Sequence, residues 1–137
     1  MSVDGPPTVP TVLVVDDDDD VREVTMASLT FVARWNAVGA IGGAEGIETA
    51  RATQVDAILL DLMMPGMDGM TTFGLLQQDP ATAAIPVVLL TAKARVGPHQ
   101  PWDDLDVAGV ISKPFNPMTL AREVAAMVGW PDPTPPT

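Results

Sequence analysis

Short apolar runs alternate along this chain with segments whose apolar residues recur at helical spacing. A continuous aliphatic run bounded by turn residues is typical of a strand buried on both faces of a parallel sheet. The candidate strands are Thr11–Val15, Ala37–Ala40, Ala57–Asp61, Ile85–Leu90 and Gly109–Ser112. Because they alternate with helices, they predict an α/β fold: a doubly wound, five-stranded parallel sheet with helices on both faces.

Helices are predicted in the segments between these strands. The first runs from about Asp19 to Ala33, and the acidic residues at its start suit the positive end of the helix dipole. One side of it is predicted to carry Val21, Val24, Ser28, Phe31 and Val32. Two further helices are predicted at Gly43–Ala52 and from Asp68-Gly69 onwards.

The last two helices differ in how clearly they are indicated. The final one is predicted with Asn116 as N-cap and Pro117 at its first helical position, and it should end at Gly129. Between residues 94 and 107, two prolines and a glycine argue against a regular helix. We therefore expect the fourth helix to be shortened or distorted.

The chain length and its two ends suggest one domain. Residues 1–10 are expected to form a disordered tail and residues 130–137 a proline-rich tail, which leaves 11–129 as the domain. A chain of 137 residues is long enough for one domain with a real core.

Net charge excludes some classes of partner. The formal charge is −11, with only seven Lys and Arg, whereas a nucleic-acid surface needs clustered cations. No apolar run approaches the roughly 18–20 residues that span a bilayer. We therefore expect neither nucleic acid nor membrane as partner, and the absence of cysteine fits a cytoplasmic protein.

Polar side chains follow four of the predicted strands at the point where each one ends. They are Asp16-Asp17, Asp61, Thr91 and Lys113. Because parallel strands end at the same edge of a sheet, these groups should converge there. Clustered carboxylates repel one another, and Mg²⁺ with oxygen ligands would relieve that repulsion. With a lysine and a hydroxyl beside it, such a site suits phosphoryl transfer to a carboxylate.

Four motifs at these strand ends resemble those of response-regulator receiver domains, the phosphoacceptors of two-component signalling. They are Val14–Asp17, Asp61–Gly69, Leu90–Ala92 and Lys113–Phe115, in the family's order and spacing across residues 11–129. The resemblance implies a flavodoxin-like sheet with strand order 2-1-3-4-5. It also implies a phosphoacceptor signalling domain of the single-domain type, rather than an enzyme.

The resemblance assigns a role to each matching residue. Asp61 corresponds to the phosphorylated aspartate, Asp17 to a direct Mg²⁺ ligand, and Asp16 to one acting mostly through water. The backbone carbonyl of Met63 corresponds to a further metal ligand. Thr91 and Lys113 correspond to the hydroxyl and the ammonium group that contact the phosphoryl group, Pro114 to the proline of a cis peptide bond, and Ala92 to the small residue beside the phosphoryl group.

Three positions bear on signalling in particular. The family usually has Tyr, Phe or His where this chain has Val110, so Val110 cannot serve as a rotating aromatic switch. Met63 and Lys93 match positions that govern how long the phosphoryl group persists. Because the Met63 side chain cannot orient a hydrolytic water, we predict a long-lived phosphoryl group.

The resemblance also implies partners: a histidine kinase or histidine phosphotransfer protein as donor, and an unknown downstream protein. The state is passed on either by contact with that protein or by return of the phosphate, as in a phosphate shuttle or sink. The kinase is expected to dock near Val21, Val24, Pro114 and Phe115. Two alternatives stay open. One is a phosphorylation-independent binding module with the receiver fold. The other is a phosphatase of the haloacid-dehalogenase type, in which Asp17 and Asp19 would carry the chemistry.

Overall fold

Five strands form one parallel sheet in which the order is β2-β1-β3-β4-β5, which confirms the expected topology. The computed structural model describes residues 9–92 and 102–133. Its strands are β1 (Thr11–Val15), β2 (Asn36–Ala40), β3 (Ala57–Asp61), β4 (Val87–Thr91) and β5 (Gly109–Ser112). The helices within these ranges are α1 (Asp19–Ala27), α2 (Gly43–Ala52), α3 (Gly69–Gln78) and α4 (Leu120–Val128).

Two apolar layers, one on each face, hold the sheet between the helices. Successive residues of a strand point to opposite faces, so Leu59 of β3 joins one layer and Leu60 the other. The first layer includes Leu120 and Val124 from α4, and the second includes Phe73 from α3. Every residue of β3 and β4 is buried, as continuous apolar runs in a two-sided parallel sheet require.

Strand register brings the polar strand ends together. Val15 pairs with Leu60, so the residues that follow them, Asp16 and Asp61, lie side by side. Thr91, the last residue of β4, pairs with Ser112 of β5. The backbone N–H of Lys113 donates to the carbonyl of Thr91 at 2.7 Å, which fixes the start of the loop after β5.

The first helix departs from its predicted form. It ends at Ala27 and continues as a π-helical turn, Ser28–Val32. Val24 is 49% exposed and Phe31 77% exposed, whereas Thr25 and Leu29 are fully buried. The residues predicted to share one side of the helix therefore differ in environment: Ser28 is buried, whereas Val24 and Phe31 are exposed. The polar Thr25 lies in the buried stripe, and the π turn changes the helical spacing from Ser28 onwards.

The last helix begins later than predicted. Residues 117–119 form a turn, and α4 starts at Leu120 with Thr119 as its N-cap, so the prediction of Asn116 as N-cap was wrong by three positions. The Asn116 side chain instead accepts from the Met118 backbone N–H at 2.9 Å, within the preceding turn. The helix ends at Gly129, with φ of 82°, as the sequence predicted.

The segment between β4 and β5 is only partly described. Within residues 102–108 the chain forms a turn, in which the N–H of Leu105 donates to the carbonyl of Trp102, and no helix is present in that stretch. The rest of the predicted fourth helix, residues 93–101, lies outside the described residues. Among the helices of residues 9–92 and 102–133, none has the length and apolar character needed to cross a bilayer.

Both ends of the described chain contact the domain. The buried Pro10 accepts a hydrogen bond from the backbone N–H of Asn36 at 2.9 Å. Trp130 packs edge-on against Trp35, with 5.2 Å between ring centroids. The second contact attaches Trp130, two residues after α4, to the apolar layer that contains Leu59.

Candidate functional site

Three carboxylates meet at the carboxyl edge of β1 and β3. Asp16 is fully buried, Asp61 is nearly so, and Asp17 is exposed. One carboxylate oxygen from each lies within 4.8 Å of those of the other two. The structure therefore brings together the three aspartates that were predicted to converge at the ends of the strands.

Backbone contacts fix the turn that carries Asp16 and Asp17. The N–H of Asp16 donates to the carbonyl of Ala40 at 3.1 Å, and Asp16 Oδ1 accepts from the N–H of Asp18 at 3.0 Å. The Asp18 side chain then caps α1 by accepting from the N–H groups of Asp20 and Val21. Asp18 thus begins the helix and lies outside the carboxylate cluster.

Sequence reasoning did not find the contact made by Arg22. Its Nη1 donates to the backbone carbonyl of Asp16 at 2.9 Å, and its Nη2 contacts Asp19 Oδ1 at 2.5 Å. The spacing of Asp19 and Arg22 on a helix signals their ion pair. Nothing in the sequence indicates the carbonyl contact, because it depends on where the chain turns before the helix.

Lys113 connects the two buried carboxylates. Its Nζ donates to Asp16 Oδ2 at 2.8 Å and lies 3.2 Å from Asp61 Oδ1. Burial alone would lower the pKa of Lys113, but the hydrogen bond to Asp16 and the charges of Asp61 and Asp16 outweigh it and raise the pKa above its ordinary value. Lys113 is therefore a firmly protonated cation at this edge.

Asp61 lies in an environment that disfavours its charge. Burial raises its pKa, the Asp16 carboxylate raises it further, and Lys113 only partly compensates. The backbone N–H of Met63 donates to Asp61 Oδ1 at 3.3 Å. A carboxylate with too little positive charge around it is suited to bind a cation.

The donor set fits a hard cation. It consists of carboxylate oxygens, and the cluster contains no histidine or cysteine. Oxygen-only donors with few carboxylates suit Mg²⁺, which keeps several waters. The residues of this edge thus fit the group that the resemblance implies.

The loop after β3 is shaped by tight backbone packing. The N–H of Gly69 donates to the carbonyl of Leu62 at 3.0 Å, and a Cβ on Gly69 would overlap the carbonyl oxygen of Asp61. Asp68 caps α3 by accepting from the N–H of Thr71 at 2.8 Å. The Met63 side chain is 74% exposed, so at this position the backbone, and not the side chain, contacts Asp61.

The remaining predicted site residues occupy different surroundings. Thr91 is buried and follows Leu90, the register partner of Asp61, while Ala92 is exposed. Val110 is half-buried and packs against the apolar layer that contains Leu60. The Lys113–Pro114 peptide bond is cis, as the resemblance implies. Lys93 lies outside the described residues.

An apolar groove adjoins the acidic edge. It has a volume of about 380 Å³ and is lined by Asp20, Val21, Val24, Lys113, Pro114 and Phe115. The four residues at which a kinase is expected to dock therefore line one open groove, and Lys113 belongs both to that groove and to the acidic edge.

Comparison with known proteins gives a consistent result. Residues 12–125 match the family model for the response regulator receiver domain. The chain is 32% identical over 127 residues to the DNA-binding dual master transcriptional regulator RpaA of Synechocystis sp.. The aligned region covers 93% of this chain and 52% of that protein. It spans about half the length of the first curated relatives that it matches.

Solved structures share the fold. The chemotaxis protein CheY4 of Vibrio cholerae matches with a TM-score of 0.80 and 26% identity, covering 88% of this chain and 99% of that one. A second match is the receiver domain of the sensor histidine kinase PA1611 of Pseudomonas aeruginosa, with a TM-score of 0.75 and 21% identity. The match covers 89% of this chain and 99% of that one. The PA1611 domain has a magnesium ion coordinated in its active-site cleft. At that identity the likeness concerns the fold. The match over most of the chain shows that it belongs to the response regulator receiver domain family.

Proposed function

We propose that this receiver domain accepts a phosphoryl group from a phosphohistidine onto Asp61. The observation that carries the proposal is the convergence of Asp16, Asp17, Asp61 and Lys113 at one edge of the sheet. A buried carboxylate beside a fixed ammonium group and a cation site has what phosphoryl transfer requires, namely positioning and charge neutralisation.

The chemistry assigns roles to both oxygens of Asp61. Lys113 and the N–H of Met63 both contact Oδ1, so we propose Oδ2 as the attacking oxygen. It forms a bond to phosphorus while the nitrogen–phosphorus bond of the phosphohistidine breaks. The electron pair returns to the imidazole, and Asp61 becomes an acyl phosphate. Lys113 then pairs with a phosphoryl oxygen.

Asp16, Asp17 and Asp61, with the Met63 carbonyl, would hold Mg²⁺. When bound, the ion neutralises charge on the phosphoryl oxygens. The magnesium ion in the PA1611 receiver domain supports the same choice here. The roles of Thr91 and Ala92 beside the phosphoryl group, and of Lys93 in its lifetime, remain those that the resemblance assigns.

The donor would be a histidine kinase or a histidine phosphotransfer protein. The groove lined by Val21, Val24, Pro114 and Phe115 supports this, because an apolar partner surface seated there lies next to Lys113. The net charge of −11 favours protein partners over nucleic acid. DNA binding is stated for RpaA, of which the chain matches about half.

The test is acceptor labelling by a small-molecule phosphodonor. Purified protein is incubated with acetyl phosphate and Mg²⁺, and intact mass spectrometry follows phosphate incorporation. We expect incorporation into the wild type and into Asp20→Asn, an exposed acid in the first turn of α1, and none into Asp61→Asn. Incorporation that survives Asp61→Asn, or that never occurs, contradicts the proposal.

A phosphorylation-independent binding module is the second candidate, and Val110 favours it because an aliphatic side chain cannot act as a rotating ring. Titration with beryllofluoride and Mg²⁺ separates the two, since a pure scaffold gives no spectral response. The phosphatase alternative has less support. Asp19 is exposed, pairs with Arg22 and lies outside the carboxylate cluster.

A further inference from the structure

Arg22 reaches from α1 towards the acidic edge although it touches no carboxylate of the cluster. Its side chain is only 16% exposed. One arm of the guanidinium donates to the Asp16 carbonyl at 2.9 Å and the other to Asp19 at 2.5 Å. The planar guanidinium group makes the two contacts from two separate nitrogens held in a fixed geometry.

Gly39 of strand β2 makes room for this side chain. A Cβ at position 39 would lie 3.2 Å from Arg22 Cδ, 3.5 Å from Arg22 Nε and 2.8 Å from Met26 Sδ. The arginine therefore packs across a strand position that has no side chain. An added methyl group there would push Met26 Sδ away and make the Arg22 side chain shift by a few tenths of an ångström, without removing its charge.

Asp16 is held at several of its atoms. Its N–H donates to Ala40, its Oδ1 accepts from the N–H of Asp18, its Oδ2 accepts from Lys113, and its carbonyl accepts from Arg22. The Asp16 carbonyl belongs to the planar peptide unit that joins Asp16 to Asp17. The orientation of this carbonyl therefore sets the direction in which the Asp17 side chain extends from the turn.

We propose that Arg22, seated over Gly39, is a positioning residue for the cation site: it fixes the Asp16–Asp17 peptide unit so that both carboxylates face the ion. The inference rests on the proposed function, in which these aspartates hold Mg²⁺. Outer contacts of this kind orient metal ligands and commonly change metal affinity by about 10- to 100-fold.

The sign of the effect separates positioning from simple charge. A nearby cation repels Mg²⁺, so if Arg22 acted only through its charge, its removal would tighten Mg²⁺ binding. If Arg22 positions the ligands, its removal weakens binding despite the lost repulsion. The two explanations predict opposite changes in the dissociation constant.

The experiment is an Mg²⁺ titration followed by the backbone amide resonances of the β1–α1 turn. For Arg22→Met we expect the dissociation constant to rise about tenfold. Arg51→Met is the matched control, because Arg51 is an exposed arginine paired with Asp79, away from the acidic edge. Arg51→Met removes the same charge and should leave the Mg²⁺ dissociation constant unchanged or slightly lower.

A second pair of variants keeps the charge constant. Gly39→Ala should weaken Mg²⁺ binding in the same direction as Arg22→Met, although Arg22 is still present. Gly74→Ala, at a helix position where a Cβ meets nothing within 4 Å, should not. Urea unfolding checks that each variant is folded. If Arg22→Met does not fold, the Mg²⁺ dissociation constant of Gly39→Ala tests the positioning role of Arg22.

The outcomes distinguish this inference from the function on which it rests. If the wild type does not bind Mg²⁺ at the three aspartates, both the proposed function and the positioning role of Arg22 are contradicted. If the wild type binds Mg²⁺ and both Arg22→Met and Gly39→Ala bind it as tightly or more tightly, only the positioning role of Arg22 is overturned.

Discussion

The same strands contain two regions with opposite energetics. From Val12 to Val15 in β1 and from Ala57 to Leu60 in β3, the residues are apolar and buried between helices. At the next position in each strand, Asp16 and Asp61 place carboxylates in surroundings nearly as buried. Burial stabilises the fold in the apolar layers, whereas at the acidic edge it raises the pKa of Asp61 and destabilises the charged group.

The contrast shows which region is shaped by folding and which by ligand binding. An apolar layer needs no ligand to reach its lowest free energy. The acidic edge reaches its lowest free energy only when a cation binds there in addition to Lys113. Part of the stability of the domain should therefore depend on the bound ion. Perturbing the two regions separately tests this division.

The largest expected effect is in the apolar layers. Leu59→Ala removes a fully buried side chain two residues before Asp61, and we expect a loss of about 3 kcal/mol in the free energy of unfolding. Urea unfolding measures it, with Leu75→Ala, on the partly exposed side of α3, as a control with a smaller loss. Equal losses in both variants would show that the layer is loosely packed.

Lys113→Met should have the next largest effect. It leaves Asp16 and Asp61 facing each other without their shared cation, and we expect a loss of about 2 kcal/mol at neutral pH. Since the folded pKa of Lys113 is raised, its contribution is complete below the ordinary value of 10.5 and is lost as pH rises through the folded pKa.

The control for Lys113 is the exposed ion pair of Arg51 and Asp79, in which the arginine side chain is 61% exposed. Arg51→Met should change the free energy of unfolding by less than about 0.5 kcal/mol, as solvent screens surface pairs. A loss in Lys113→Met no larger than in Arg51→Met would mean that the lysine does not hold the acidic edge together.

Mg²⁺ should stabilise only the acidic edge. At a free concentration tenfold above the dissociation constant, a ligand that binds only the folded state adds about 1.4 kcal/mol to the free energy of unfolding. Leu59→Ala should show the same increment as the wild type, because its defect lies in the apolar layer. A smaller increment in Leu59→Ala would show that the two regions are coupled.

Much of this fold follows from local patterns in the sequence. Four of the five strands were predictable as short apolar runs that end in a polar group, as at Val15-Asp16 and Leu60-Asp61. The errors lie where packing overrides local pattern. Val24 is exposed because the polar Thr25 occupies the buried stripe of α1 beside it, and Phe31 is exposed within the π turn that follows α1. The last helix, α4, begins after the turn capped by Asn116.

For the candidate site, sequence indicated the side chains but not all of their supports. Asp16, Asp17, Asp61 and Lys113 converge as the strand order requires, so their proximity could be predicted from topology. The Arg22 contact could not, because a hydrogen bond to a main-chain carbonyl leaves no residue pattern. The roles of these residues in phosphoryl transfer stay predictions that labelling will decide.

The smallest expected effect has the opposite sign, and it tests the comparison most directly. In protein free of Mg²⁺, Asp61→Asn should raise the free energy of unfolding at neutral pH on the order of 1 kcal/mol, because the burial of the Asp61 charge and its repulsion from Asp16 are only partly offset by Lys113. The folded pKa of Asp61 lies above 3.8, so the wild type loses this destabilisation as pH falls through that folded pKa, and the two proteins should converge in acid. Urea unfolding across pH measures the difference, with the exposed Asp20→Asn expected to show none. Saturating Mg²⁺ should then reverse the order, since the wild type gains binding energy that the variant has largely lost. An Asp61→Asn protein that is less stable than the wild type at every pH without Mg²⁺ would mean that the acidic edge stabilises the fold as the apolar layers do.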